Sequence, residues 1–214
     1  MDTLGLTEKE FRFLKTLNSP ERVQDFLDSL PINFELSGET YRSVKRTLHA
    51  GEAHCFEGAL VAASALWLQG ERPLLLDLKT DGDDDHLVTI FKREGYFGAI
   101  SKTNHLALRY RDPIYRSIRE LALSYFQDYF RTDGRKTLRG YAAFSLRRYP
   151  PRAWISADEE LTSIVEDIEV ARHWPLLPKR LEKRLRKADP FVRIVSEATE
   201  WNRRKIRARL APPV

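Results

Sequence analysis

One cysteine, Cys55, and one methionine, Met1, are all the sulfur in this 214-residue chain. A single thiol excludes an intramolecular disulfide framework and any Cys-rich zinc or iron–sulfur site. Long apolar runs are missing too. The best candidate, Ala59 to Leu68, is about half of the roughly 20 residues that span a bilayer. The opening Met-Asp-Thr-Leu-Gly-Leu-Thr-Glu lacks the basic start and apolar centre of a secretory signal. A cytoplasmic location with no membrane partner is therefore expected. No phosphate loop, dinucleotide fingerprint, serine elbow or paired zinc motif occurs, so no cofactor or metal is expected.

What the chain does have is an ordinary apolar share and a dense charge. Hydrophobic residues make up 42% and charged residues 31%, enough apolar material for a substantial core. The net charge of +5 is local. From Lys179 to Arg209 there are twelve Lys and Arg against four Asp and Glu, so the rest of the chain is net acidic. That basic tail suits a solvated helix face, an acidic partner or nucleic acid.

Patterning along the chain predicts three regions. Residues 1–50 read as helices. Thr7 and Glu10 form a capping box before a stripe of Phe11, Leu14 and Leu17. Pro20 opens a second helix with Val23, Phe26, Leu27 and Leu30, and a third, short one is expected to follow Ser37-Gly38-Glu39-Thr40 and run to about Leu48. Residues 51–150 read as a core. The run Cys55 to Leu68 is Ala-rich and apolar nearly all round, the mark of a buried helix. Strand-like runs follow at Pro73–Lys79, Leu87–Lys92 and Tyr96–Ser101, the last two joined by Glu94-Gly95. A long helix is expected from Ile114 to Phe130, and an edge strand or extended arm from Gly140 to Arg148. Residues 151–214 read as a helical extension, opened near Ser156 and ending in the basic tail. Trp154, Trp174 and Trp201 are expected to pack it onto the body. The fold class is thus α+β, a buried helix and a small antiparallel sheet wrapped by helices.

The chemistry centres on Cys55. A helix N-terminus favours a thiolate and offers free N–H groups to a developing oxyanion. His86 opens the second strand and can face that helix end as general base and then acid. Ser101 or Asn104, after the third strand, can hold the imidazole tautomer. His54, Lys102 and Thr103 beside them are candidate substrate contacts. Each has a plainer reading: a buried inert thiol, a histidine satisfied by Asp83, Asp84 or Asp85, and a polar turn. Those consecutive aspartates point to alternate faces, which argues against a shared metal ion. Glu57 is expected to complement the helix dipole, or to pair with Lys102 or Arg109.

From Gly51 to Asn104 the order is a cysteine at the start of an Ala-rich helix, a strand, Asp85-His86 opening a strand, and a hairpin to a strand with a polar end. This resembles the transglutaminase-like branch of the papain-like cysteine hydrolases. The resemblance implies a papain-like core, with Cys55 as nucleophile and Asp85-His86 as the strand bearing the base. It departs where the family carries an aspartate, because Ile100-Ser101-Lys102-Thr103 places Ser101 there. Cysteine-dependent hydrolysis or acyl transfer is the expected activity, on a peptide, protein or small acyl substrate. A catalytically inactive module of the same fold, or a binder of acidic partners through 179–209, is the alternative.

Overall fold

The structure is a computed structural model in which residues 3–196 are described. Three helices come first: α1 (Glu8–Thr16), α2 (Pro20–Ser29) and α3 (Val44–Ala50). Thr7 and Glu10 close the expected capping box on α1, and Ser19 and Ser43 cap the next two. The central helix α4 (Cys55–Trp67) follows, and every residue from Phe56 to Leu66 is buried. Each fully buried Leu on it contributes roughly 1.5–3 kcal/mol, so α4 is held by its surroundings and not by propensity.

Strands β1 (Leu74–Thr80), β2 (His86–Arg93) and β3 (Tyr96–Ile100) form an antiparallel meander. It widens to a six-stranded antiparallel sheet in the order β4-β3-β2-β1-β5-β6. The added strands are β4 (Arg111–Tyr115), β5 (Leu138–Ser145) and β6 (Trp174–Pro175). Alternation along the strands splits the core in two. Leu75, Leu87, Phe91, Ile100 and Phe144 pack on the α4 side with α1–α3. Leu76, Leu78, Val88, Ile90 and Ala99 face the other layer, which holds Leu121, Tyr125, Tyr129 and Leu138. That layer includes the short helix α5 (Ile118–Leu123). The remaining helices are α6 (Arg152–Ile155), α7 (Thr162–Glu169), α8 (Lys179–Glu182) and α9 (Pro190–Ser196).

Several expectations are corrected. The third helix, Val44–Ala50, begins and ends a few residues later than expected, after a 34–40 segment in which Glu35 and Gly38 take positive φ. The helix expected over 114–130 is instead β4 followed by α5. Asp112 precedes proline and is pushed towards extended backbone, and β4 pairs with β3 at Phe97–Tyr115 and Ala99–Arg111. The stretch 140–148 is not an edge. β5 lies between β1 and β6, with Leu76 opposite Ala143. The C-terminal region is not helical throughout, since Trp174–Pro175 adds β6 to the sheet. Trp154 is fully buried, whereas Trp174 is half exposed at 49%. Trp201 and the tail from residue 197 lie outside the described residues. No helix among the described residues is long and apolar enough to cross a membrane.

Candidate active site

Cys55 is the first residue of α4, and the chain leading to it is tied down on both sides. Ala53 makes a parallel bridge with Ile32, its N–H donating to Pro31 O and its carbonyl accepting from Asn33 N–H. His54 then caps the helix. Its Nδ1 accepts from the Phe56 N–H at 3.3 Å, and its own N–H donates to Glu57 Oε2 at 3.1 Å. Histidine thus serves where Ser, Thr, Asp or Asn is usual. The Cys55 N–H, at the first helical position, has no intrahelical acceptor and points from the positive end of the helix.

Two contacts bring the sheet to this helix end. Thr89 on β2 donates its hydroxyl to Ala59 O at 2.7 Å, setting the register of strand against helix. Gly58 meets the chain just after β3. A Cβ there would lie 2.4 Å from Lys102 Cβ, so only glycine lets residues 101–102 approach the first turn of α4. With this packing, His86 at the start of β2 is buried and its Nε2 lies 2.7 Å from Ser101 Oγ. His86 lines the same cleft as Cys55, and its ring acts on the thiol electrostatically.

Ser101 is itself clamped. Its N–H donates to Gln24 Oε1 at 3.0 Å, and its carbonyl accepts from Gln24 Nε2 at 2.9 Å. Gln24 Nε2 also reaches Asp28 Oδ1 at 2.9 Å. A glutamine on α2 therefore fixes the serine that fixes the imidazole.

The electrostatics follow from this crowding. Protein packs densely around Cys55, yet part of the residue opens to a cleft of about 360 Å³. Burial works against the thiolate, but hydrogen bonds from His54 and His86, with their charges, overcome it and bring the thiol down to about 5. For His54, burial disfavours the proton, and the bond to Cys55, its charge, Glu57 and the Thr40 carbonyl raise the ring to about 9. His105, across the cleft, is shifted the other way by burial and by His86.

The sequence-predicted residues separate into groups. Cys55 and His86 line one cleft, and Ser101 holds the His86 ring. Asn104 lines the cleft, but the bond to the His86 ring is made by Ser101. Thr103 accepts from His105 N–H through its hydroxyl and sits on the cleft wall. Lys102 lines the cleft with its neighbours and is buried, its Nζ donating to Leu30 O at 2.6 Å. His54 faces the cleft while its Nε2 donates to Thr40 O at 2.7 Å. Glu57 finds its partners in the 33–42 segment. It is fully buried, accepts from Asn33 Nδ2 and Thr40 Oγ1, and lies 3.5 Å from Arg42 Nε.

Gln24, Asn33, Glu35, Thr40 and Arg42 were not foreseen. Gln24 had a readable signal, a polar side chain at helical spacing among Pro20, Val23 and Leu27 on the buried face of α2. Asn33 and Thr40 had none, since a loop's side-chain partners depend on its path. The aspartates are already engaged: Asp85 accepts from Lys79 and Thr80, and Asp83 from Thr137. Among the described residues no group of three or more metal-ligating side chains converges. Compared with protein-family models and with curated proteins, the chain finds no match in either.

Proposed function

We propose that this protein performs cysteine-dependent acyl chemistry in a papain-like core of the transglutaminase-like type. The observation that carries the reading is Cys55 at a helix N-terminus that opens into a cleft, sharing that cleft with a His86 ring whose Nε2 lies 2.7 Å from Ser101 Oγ. A thiolate is the nucleophilic form of cysteine, and an imidazolium beside it is the matching acid.

The Cys55 thiolate forms an S–C bond to an amide, ester or thioester carbonyl, and the π pair moves to oxygen. The Cys55 N–H donates to that oxyanion. The pair returns, the bond to the leaving group breaks, and the leaving group takes the proton from His86. Water or an amine then adds to the thioester and passes a proton back to His86. The C–S bond breaks, and its electron pair restores the thiolate. Ser101 keeps the His86 tautomer but adds no charge to stabilise the imidazolium, unlike the aspartate of the resembled family.

Alkylation by iodoacetamide, followed against pH on the native protein, tests the reading. It is expected to titrate with a midpoint near 5, well below the roughly 8.5 of a free thiol. Cleavage of activated acyl esters is expected to disappear in Cys55→Ala and fall at least about 100-fold in His86→Ala. Labelling that occurs only after denaturation would overturn the proposal and leave a non-catalytic module of the same fold.

A further inference from the structure

We infer that Glu57 is a positioning residue for the nucleophile: its buried carboxylate binds the start of α4 to the 33–42 segment and so fixes the direction in which the Cys55 N–H meets a reacting carbonyl. This rests on the acyl-chemistry reading and adds a residue that touches no substrate yet governs the oxyanion side of the reaction.

Glu57 stands two residues past Cys55 with no exposed surface. A carboxylate so placed is costly unless donors surround it. Four do, from the start of α4 and from the 33–42 segment. Oε2 accepts from His54 N–H at 3.1 Å and from Asn33 Nδ2 at 3.2 Å. Oε1 accepts from Thr40 Oγ1 at 3.1 Å and lies 3.5 Å from Arg42 Nε. A helix start does not need this much. On α1 the same box is built at the surface, where Glu10 binds Thr7 and the exposed His49.

Thr40 carries the restraint back to the cap. Its N–H donates to Glu35 Oε1 at 2.7 Å, its hydroxyl donates to Glu57, and its carbonyl accepts from His54 Nε2–H at 2.7 Å. His54 is thereby held at its backbone by Glu57 and at its ring by Thr40. The peptide between His54 and Cys55 is planar, so its two ends turn together. Its carbonyl accepts from Gly58 N–H at 2.9 Å, along the helix. Its N–H, on Cys55, therefore points the opposite way, out of the helix end where His54 and Cys55 line the cleft. The next N–H, on Phe56, is taken by His54 Nδ1 at 3.3 Å. The cap thus leaves the Cys55 N–H to an oxyanion, and the carboxylate behind the cap sets its direction. The same carboxylate holds Asn33, which lines the cleft beside Ile32, Phe34 and Glu35. One side chain therefore sets both the nucleophile and the wall facing it.

Two reactions of the same sulfur test the inference. Iodoacetamide loses iodide from a saturated carbon and forms no oxyanion, whereas hydrolysis of p-nitrophenyl acetate passes through one. Glu57→Gln keeps the shape of the side chain and turns one acceptor oxygen into a donor facing other donors. In the full chain it is expected to lower kcat for the ester about 10- to 100-fold, with KM within about threefold of wild type. Alkylation on the plateau of its pH profile is expected to stay within about twofold. Rates that fall equally in both reactions, or an unchanged kcat, would overturn the inference and leave the acyl-chemistry reading intact. Ester hydrolysis that survives in Cys55→Ala would overturn that reading, and the inference with it. Where Glu57→Gln fails to fold by circular dichroism, Thr40→Val carries the test, since it removes one donor from the carboxylate and keeps the backbone bonds to Glu35 and His54. The same split is then expected at about 3- to 10-fold, and rates that fall together or stay at the wild-type value overturn the inference.

Discussion

Gln24→Leu isolates the most informative contact in the molecule, because it removes a clamp one residue away from the proposed chemistry. The two bonds lost to Ser101 are its N–H to Oε1 and Nε2–H to its carbonyl, 3.0 and 2.9 Å long, and the half-exposed bond to Asp28 goes with them. Ser101 is 1% and Gln24 6% exposed, so water does not replace them without a rearrangement. Leaving a buried backbone group unsatisfied costs roughly 1–3 kcal/mol, and two such groups therefore roughly 2–6 kcal/mol. Leucine returns roughly 1.5–2 kcal/mol through apolar burial at the same place. A net loss of about 2 kcal/mol remains, within a range of roughly 0–4.5. With a urea slope of roughly 2–3 kcal/mol/M, the unfolding midpoint is expected to fall by about 1 M. Cys55 alkylation in native buffer supplies the second readout, because a displaced Ser101 frees the His86 ring and should raise the thiolate midpoint. Gln24→Glu keeps the acceptor for the Ser101 N–H but opposes its carbonyl with another acceptor, and is expected to fall between the two. A midpoint shift below about 0.3 M at unchanged slope, with the alkylation profile unmoved, would refute the clamp as the device that positions Ser101.

Two further substitutions probe the same assembly from other sides. Gly58→Ala puts a Cβ 2.4 Å from Lys102 Cβ; overpacking is expected to lower stability by about 1–3 kcal/mol despite alanine's better helix propensity, and to slow alkylation. A melting temperature at or above wild type would show that the strand end gives way freely. Ser101→Ala leaves His86 Nε2 without its partner in a buried place; a stability loss of about 1–3 kcal/mol and a several-fold slower alkylation at pH 7 are expected, read by urea titration and by the His86 ring signals in NMR.

Legibility followed the range of the forces involved. The α4 helix, the meander and the α1 capping box are written in short windows, as an apolar run, alternating strands around Glu94-Gly95, and Thr7 three residues before Glu10. Cys55 and His86 could be singled out because a helix start and a strand start are local features with known electrostatic consequences. The β4 edge was misread as helix because Ile118, Leu121 and Tyr125 carry helical spacing into it, while its pairing partner, Phe97 to Ala99 on β3, is far away in sequence. β5 was misplaced for the same reason: its position between β1 and β6 depends on long-range pairing that alternation alone does not reveal. The His54 and Glu57 box escaped because histidine is not an ordinary cap, and its carboxylate network uses residues 33, 40 and 42 from a loop.

That network also weighs against an inert thiol. A cysteine serving only as a small hydrophobe is best surrounded by apolar atoms, where burial holds the thiol protonated. Two imidazoles bear electrostatically on Cys55, and each is restrained by its own partners: His54 by the Thr40 carbonyl, His86 by Ser101. Behind them sit further buried polar groups, Glu57 on one side and Gln24 on the other. Every one of these groups had to give up water, and partly satisfied buried polar networks are destabilising compared with apolar packing. The arrangement becomes intelligible if its product is a charged sulfur facing a cleft. The helix N-terminus, the two rings and the glycine that admits the strand end then serve one end, holding a nucleophile and an acid together before substrate arrives.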